Sequence, residues 1–337
     1  MILESRATLE RYTRSGWWAT LTLDELFRRC VTLVGSQPAL IDAPNRPTFA
    51  FGTPQQLTFI EVDRAVRQVA AALLEAGVRK DSVVLVQLPN VVEIVIAYLA
   101  CIRIGAIVSP IMLAYGERDL RRIIHHVRPD CLVTVTAFKH DRPAALAARV
   151  CAAQSDVATA ILAYGERTAD ETTQIRDIER MGGDQRRLDN YLQTLSVDAN
   201  EIVTMHWTSG TTGDPKCVPR SHNTWHATGG CCVDAGGLQP GERILAPMQM
   251  VHTAGMSGFF MPWLETRGTL VLHQPFDMGV FLDQIENHRI NHTVAAPAML
   301  NALLRNNSLD NREVASIRSI LCGSAPLDPW MIEGFRQ

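Results

Sequence analysis

Apolar positions recur along this chain with two alternating periods. Over 64–77, Val66, Val69, Ala70, Leu73 and Leu74 fall on one helix face, and Gly77 stands where a C-cap belongs. The run 83–88 is instead continuously apolar, rich in β-branched residues, and stops at Pro89-Asn90, which predicts a buried strand followed by a loop. A helix over 91–104 and a strand over 105–109 then complete a βαβ unit, which requires parallel strands. The pattern continues with a charged helix over 117–127, a strand over 131–136, an Ala-rich helix over 144–153 and a strand over 157–163. Residues 165–200 are polar, lack periodicity and contain Gly182-Gly183, so they read as a surface excursion. Beyond them, strands over 201–207, 244–246, 269–272 and 293–296 and a helix over 280–288 predict a second α/β layer system.

A length of 337 residues suits about two domains on a prior of roughly 150 each. An apolar fraction of 47% with 20% charged residues excludes a disordered chain. Acids outnumber bases 35 to 32 and no run of five bases occurs, so no nucleic-acid partner is expected. The eight cysteines form no C-x-x-C pair and predict buried, reduced thiols in a cytoplasmic protein. The mixed charges of residues 1–14 are unlike a signal peptide, and Glu93, Arg103 and His252 interrupt the longest apolar stretches, so no membrane span is expected. Lysine is rare: Lys80, Lys139 and Lys216 are the complete set.

Lys216 ends the most informative stretch. Thr208, Ser209, Gly210, Thr211, Thr212, Gly213, Asp214, Pro215 and Lys216 place four hydroxyls, two glycines and a cation directly after a predicted strand. Glycines admit close backbone approach to an anion, hydroxyls add donors, and the ammonium adds charge, so this inventory suits a phosphate-handling loop. It departs from the P-loop NTPase motif, because the glycine spacing differs and Cys217 occupies the place of the metal-binding hydroxyl. Two His pairs, His222 with His226 and His288 with His292, lack the glutamate of a zinc-protease motif and do not predict a metal site.

The stretch Thr208 to Lys216 resembles the phosphate loop of the acyl-adenylate-forming superfamily, which includes acyl-CoA synthetases, aryl-acid ligases, peptide-synthetase adenylation domains and luciferases. Leu57-Thr58-Phe59, residues 99–110, His222-Asn223, Met250 to Gly255 and Gly323 to Leu327 fall in the family's order, and Gly16-Trp17-Trp18 resembles the opening segment of its aryl- and cycloalkyl-acid members. The resemblance implies ATP-dependent conversion of a small carboxylic acid to acyl-AMP, with Mg²⁺, followed by transfer to coenzyme A or a carrier protein. By the same analogy Ser209, Thr211, Thr212 and Lys216 hold phosphates, and Gly210 and Gly213 permit backbone approach. His252 stands at the mouth of the acid pocket with Gly255 and Met256 lining it, while Gly323, Ser324, Ala325 and Pro326 meet the adenine. The interval 250–260 contains no acid to bind an α-ammonium group, and Thr253 replaces the asparagine of hydroxybenzoate-activating members, so an uncharged apolar acid is expected.

The implied fold is α/β, with two mixed or parallel sheets flanked by helices, as in the N-terminal domain of an acyl-adenylate-forming enzyme. Residues 1–204 are assigned to a first subdomain, with those before about 75 free to pack on the second, and 205–337 to the phosphate loop and second subdomain. The family's Thr-Glu motif, ribose-binding aspartate, hinge and C-terminal lysine have no counterpart up to Gln337, so a third barrel subdomain and the C-terminal domain are expected to be missing. The alternatives are a nucleotide- or acyl-binding module without turnover and an aryl-acid adenylating enzyme serving a carrier protein. Apolar surface next to the missing subdomain would favour a homodimer.

Overall fold

The computed structural model describes residues 1–154, 158–166, 175–208, 216–305, 309 and 312–335. Its strands are β1 (Pro38–Ile41), β2 (Gln56–Thr58), β3 (Val83–Val86), β4 (Ile107–Pro110), β5 (Cys131–Val135), β6 (Ala160–Tyr164), β7 (Ile175–Asp177), β8 (Ile202–Thr208), β9 (Lys216–Ser221), β10 (Arg243–Ala246), β11 (Thr269–Leu272), β12 (His292–Ala295) and β13 (Ser319–Cys322). One sheet has the order β7-β6-β5-β3-β4-β8-β9 and the other β13-β12-β10-β11-β1-β2. All neighbours pair in parallel except β8 with β9 and β1 with β2. The central strands β5 and β11 are buried along their whole length, as expected of parallel strands covered on both faces. The fold is thus the expected pair of largely parallel sheets flanked by helices. Residue 205 falls inside β8, and β1 and β2 join the sheet built from residues after 240.

The helix Val92–Arg103 is buried at every position, although Glu93 and Arg103 interrupt its apolar run. Burial is sustained by pairing. Glu93 accepts from Arg46 Nη2 at 2.6 Å, and Arg46 also binds Asp42. Arg103 reaches Asp24 at 2.8 Å and Asp63 at 2.6 Å. Unpaired, such charges would cost several kcal/mol each in the interior. The helix Phe59–Glu75 starts at a capping box between Thr58 and Glu61, and Phe59 stacks on Trp263 with centroids 5.6 Å apart.

Three expectations are corrected. Residues 165–200 are more than a surface excursion: β7 extends the first sheet, and the helix Gln185–Thr194 buries Leu188 against the Phe59–Glu75 helix. The thiols are free, but only Cys30, Cys101 and Cys131 are buried and Cys231 is exposed, because it lies on the outer side of the helix His222–Gly236. The strand after residue 290 begins at His292, so His288 and His292 lie on different elements.

Candidate active site

Parallel α/β sheets gather their functional loops at the carboxyl ends of the strands. Here the two carboxyl edges meet at Asn90, in the loop after β3. Its backbone N–H donates to Gln274 Oε1, its Nδ2 to the Met248 carbonyl at 2.8 Å, and its Oδ1 accepts from the Met250 N–H at 2.8 Å. Met248 and Met250 follow β10, and Gln274 follows β11. Tyr98 Oη adds a hydrogen bond to the Met250 carbonyl at 3.3 Å. Neither Asn90 nor Tyr98 was singled out from sequence, because their partners lie 160 and 152 residues away.

This grip sets the position of His252. His252 caps a continuous helical run formed by Thr253–Gly255, a π-turn over Met256–Phe260 and Met261–Thr266. Gly255 is buried so close to the loop that an added Cβ would lie 2.5 Å from Met250 Cα. Met256 is fully buried behind it. His252 is exposed, yet atoms packed beside its ring desolvate it and lower its pKa.

The phosphate-loop residues Ser209, Gly210, Thr211, Thr212 and Gly213 lie outside the described residues. Their flanks are the paired ends of a β-hairpin: Thr208 closes β8, exposed Lys216 opens β9, and the two stand opposite each other in register. Cross-strand partners share a face, so Thr204 with Arg220 and His206 with Val218 occupy one side. Trp225 covers that side, donating from Nε1 to Thr204 Oγ1 at 2.9 Å. His206 is 2% exposed. Its pKa is pushed down to about 3, chiefly by burial and further by the charges of Arg220 and His252. Sequence reading missed His206, whose one signal was an imidazole in the otherwise apolar end of a strand leading into the loop.

Gly323, Ser324, Ala325 and Pro326 form an exposed bend at the carboxyl end of β13, with Ser324 at φ +69°. They share the carboxyl edge with the Met248–His252 loop, one strand apart. A cleft of about 1260 Å³ is lined by Asp24, Arg28, Asp63, Arg103 and Asp189 and includes none of these loops. Arg103 ends a helix that runs back from the carboxyl edge, which puts that cleft toward the opposite edge. Among the described residues no group of three His, Cys, Asp or Glu side chains is placed to hold a metal ion. His222 instead accepts from the Leu23 N–H, and His226 bridges Glu265 and the Leu21 carbonyl. Among the described residues no helix is long and apolar enough to cross a membrane.

Two largely parallel α/β sheets whose carboxyl edges meet at Asn90 define the class of fold, and solved structures share it. Apo MbtA of Mycobacterium smegmatis superimposes with a TM-score of 0.81 at 19% identity, covering 99% of this chain and 58% of that one. The anthranilate CoA ligase AuaEII, in complex with anthranoyl-AMP, gives 0.76 at 18% identity, covering 94% and 57%. The chain belongs to the AMP-binding enzyme family, whose model matches residues 36–337. It is 26% identical over 306 residues to 4-coumarate–CoA ligase 1 of Oryza sativa subsp. japonica, covering 87% of this chain and 50% of that protein. It is 27% identical over 276 residues to a feruloyl-CoA synthase of Amycolatopsis sp, covering 80% and 50%. The chain thus spans about half the length of the curated relatives it matches.

Proposed function

We propose that this chain is the nucleotide- and acid-binding part of an acid–thiol ligase. The acid's carboxylate attacks the α-phosphorus of ATP, pyrophosphate leaves, and the resulting acyl-AMP passes its acyl group to the thiol of coenzyme A, releasing AMP. The supporting observation is the junction at Asn90, which brings the His252 loop of one sheet to the carboxyl edge of the sheet whose hairpin ends at Thr208 and Lys216. The central difficulty is holding two anions together, so positioning and charge neutralisation dominate. Lys216, with Thr208, Ser209, Gly210, Thr211, Thr212 and Gly213, takes the polyphosphate; His252, Gly255 and Met256 border the acid; Gly323 to Pro326 receive the adenine.

Coenzyme A is preferred over a carrier protein as acceptor because the curated relatives named above are CoA ligases or synthases. The test is calorimetric titration of the 337-residue chain with ATP and with acyl-sulfamoyl adenosines, followed by pyrophosphate exchange over a carboxylate panel in the intact enzyme. Binding of both nucleotides and acid-dependent exchange are expected. Failure of every analogue and of ATP to bind would refute the reading, and binding without exchange would leave a module that does not turn over.

A further inference from the structure

Among the described residues two imidazoles are buried with neither ring nitrogen hydrogen-bonded, those of His206 and His292. His292 opens β12, at the amino edge of its sheet and away from the loops of the candidate site. His206 lies near the carboxyl end of β8, two residues before Thr208. A neutral imidazole carries one N–H donor and one bare acceptor, and each buried polar group left unmatched costs about 1–3 kcal/mol. Native interiors satisfy such groups with few exceptions, and an exception at a site calls for a missing partner.

The surroundings of His206 narrow the chemistry of that partner. The Trp225 ring meets the imidazole edge to face with centroids 5.1 Å apart, and the Arg220 guanidinium lies 5.3 Å from the same Trp225 ring. Arg220 Nε is itself buried without an acceptor, and Arg220 forms no ion pair among the described residues. The charges of Arg220 and His252 act on His206, both disfavouring a cation, and among the described residues no carboxylate offsets them. The ring is therefore neutral across the physiological range; it lies near the carboxyl end of β8, two residues before Thr208, and the charge of His252 acts on it. An ammonium group there would meet the like charge of Arg220, which has no ion-pair partner among the described residues. A purely hydrocarbon group would leave both ring nitrogens unmatched, whereas a hydroxyl can accept from the ring N–H or donate to the bare nitrogen, and a carbonyl can accept from the N–H.

We propose that His206 is a specificity-determining residue, whose imidazole hydrogen-bonds a neutral oxygen substituent, a hydroxyl or carbonyl, on the acyl group of the acid. The assignment rests on the adenylation reading and refines it: the uncharged apolar acid expected from sequence becomes an uncharged acid bearing one such oxygen. Sites built to hydrogen-bond a substrate group discriminate strongly against the analogue that lacks it.

The test uses acyl-sulfamoyl adenosines of cyclohexanecarboxylic and benzoic acid and of their 2-, 3- and 4-hydroxy derivatives, titrated into the 337-residue chain. At least one hydroxylated member should bind about tenfold or more tighter than its hydrocarbon parent, the scale of one buried unmatched group. His206→Leu should abolish that gain, bringing the hydroxylated member and its parent to the same affinity. In the unsubstituted protein the His206 ring ¹⁵N resonances should move on adding the preferred hydroxylated analogue and stay put with its parent, a readout that decides the matter even if the variant does not fold. Parents binding as tightly as every hydroxylated partner, a preference that survives His206→Leu, or unmoved ring resonances would overturn the assignment while leaving adenylation intact. Failure of ATP and of all analogues to bind would overturn both.

Discussion

The carboxamide of Asn90 holds the backbone of Met250 from across the molecule: its Oδ1 accepts the Met250 N–H at 2.8 Å while its Nδ2 takes the Met248 carbonyl at 2.8 Å. One side chain thereby fixes the distance between the two sheets at their carboxyl edges. Asn90→Ala leaves both backbone groups unmatched, so it should lower unfolding free energy by about 1–3 kcal/mol in urea titrations. It should also weaken binding of an acyl-sulfamoyl adenosine more than binding of ATP alone. Wild-type stability in the variant would mean that the loop is held by other contacts.

Two glycines should respond oppositely to the same substitution. A Cβ on Gly255 would come within 2.5 Å of Met250 Cα and 2.7 Å of the Met250 carbonyl, backbone atoms that cannot rotate away. Gly255→Ala is expected to cost about 1–3 kcal/mol and to displace His252. Gly230, inside the helix His222–Gly236, has nothing within 4 Å of a built Cβ. Gly230→Ala should stabilise by about 0.5–1 kcal/mol through helix propensity and reduced chain entropy. Thermal unfolding of the two variants side by side measures the contrast.

Glu93 confers a pH dependence of defined sign. It shares one guanidinium with Asp42, and its Oε2 is buried without a partner. Burial, opposed by Arg46, pushes its pKa up from 4.5 to about 7. The folded protein therefore binds this proton more tightly than the unfolded chain, so the contribution is complete below about pH 4.5 and is lost as pH rises through about 7. His206 and His222, both pushed down to about 3 by burial, act in the opposite sense, contributing above about 6.5 and losing that contribution as pH falls. The measurable quantity is the difference in denaturant midpoint between wild type and Glu93→Gln. Between pH 5 and 8 wild type should lose ground to the variant, by an amount on the order of 3 kcal/mol at most. A pH-independent difference would mean that Glu93 is ionised throughout.

Lys216 provides the cation at the end of the hairpin loop. Lys216→Ala should weaken ATP binding roughly 10- to 100-fold, the scale of one charge-assisted contact, without changing the melting temperature of the unliganded chain, because the side chain is exposed. ATP affinity equal to wild type would remove Lys216 from the phosphate site.

Local signals in the chain carried much of this. Periodicity located the helices Phe59–Glu75, Val92–Arg103 and Glu117–Val127 and the strands between them, since each buries one face or all faces in a regular repeat. The Thr22-to-Glu25 spacing also contained the start of the helix Leu23–Val34, a capping box that apolar periodicity alone does not reveal. The hydroxyl- and glycine-rich run pointed to phosphate, and the family match over residues 36–337 agrees with the resemblance it carries.

By itself, then, the sequence determined much of the alternation of helices and strands, the glycine- and hydroxyl-rich run from Thr208 to Lys216, and the family, because these depend on residue order over a few turns of chain; that this run joins two antiparallel strands came from the structure. Only the tertiary structure decided that β1 and β2 complete the second sheet, that Glu93 and Arg103 are buried with partners, and that Asn90 closes the site. It alone put His206 in a dry setting against Trp225. Partners 47 to 160 residues apart are brought together by the order of strands in the sheets, and that order leaves no periodic trace along the chain.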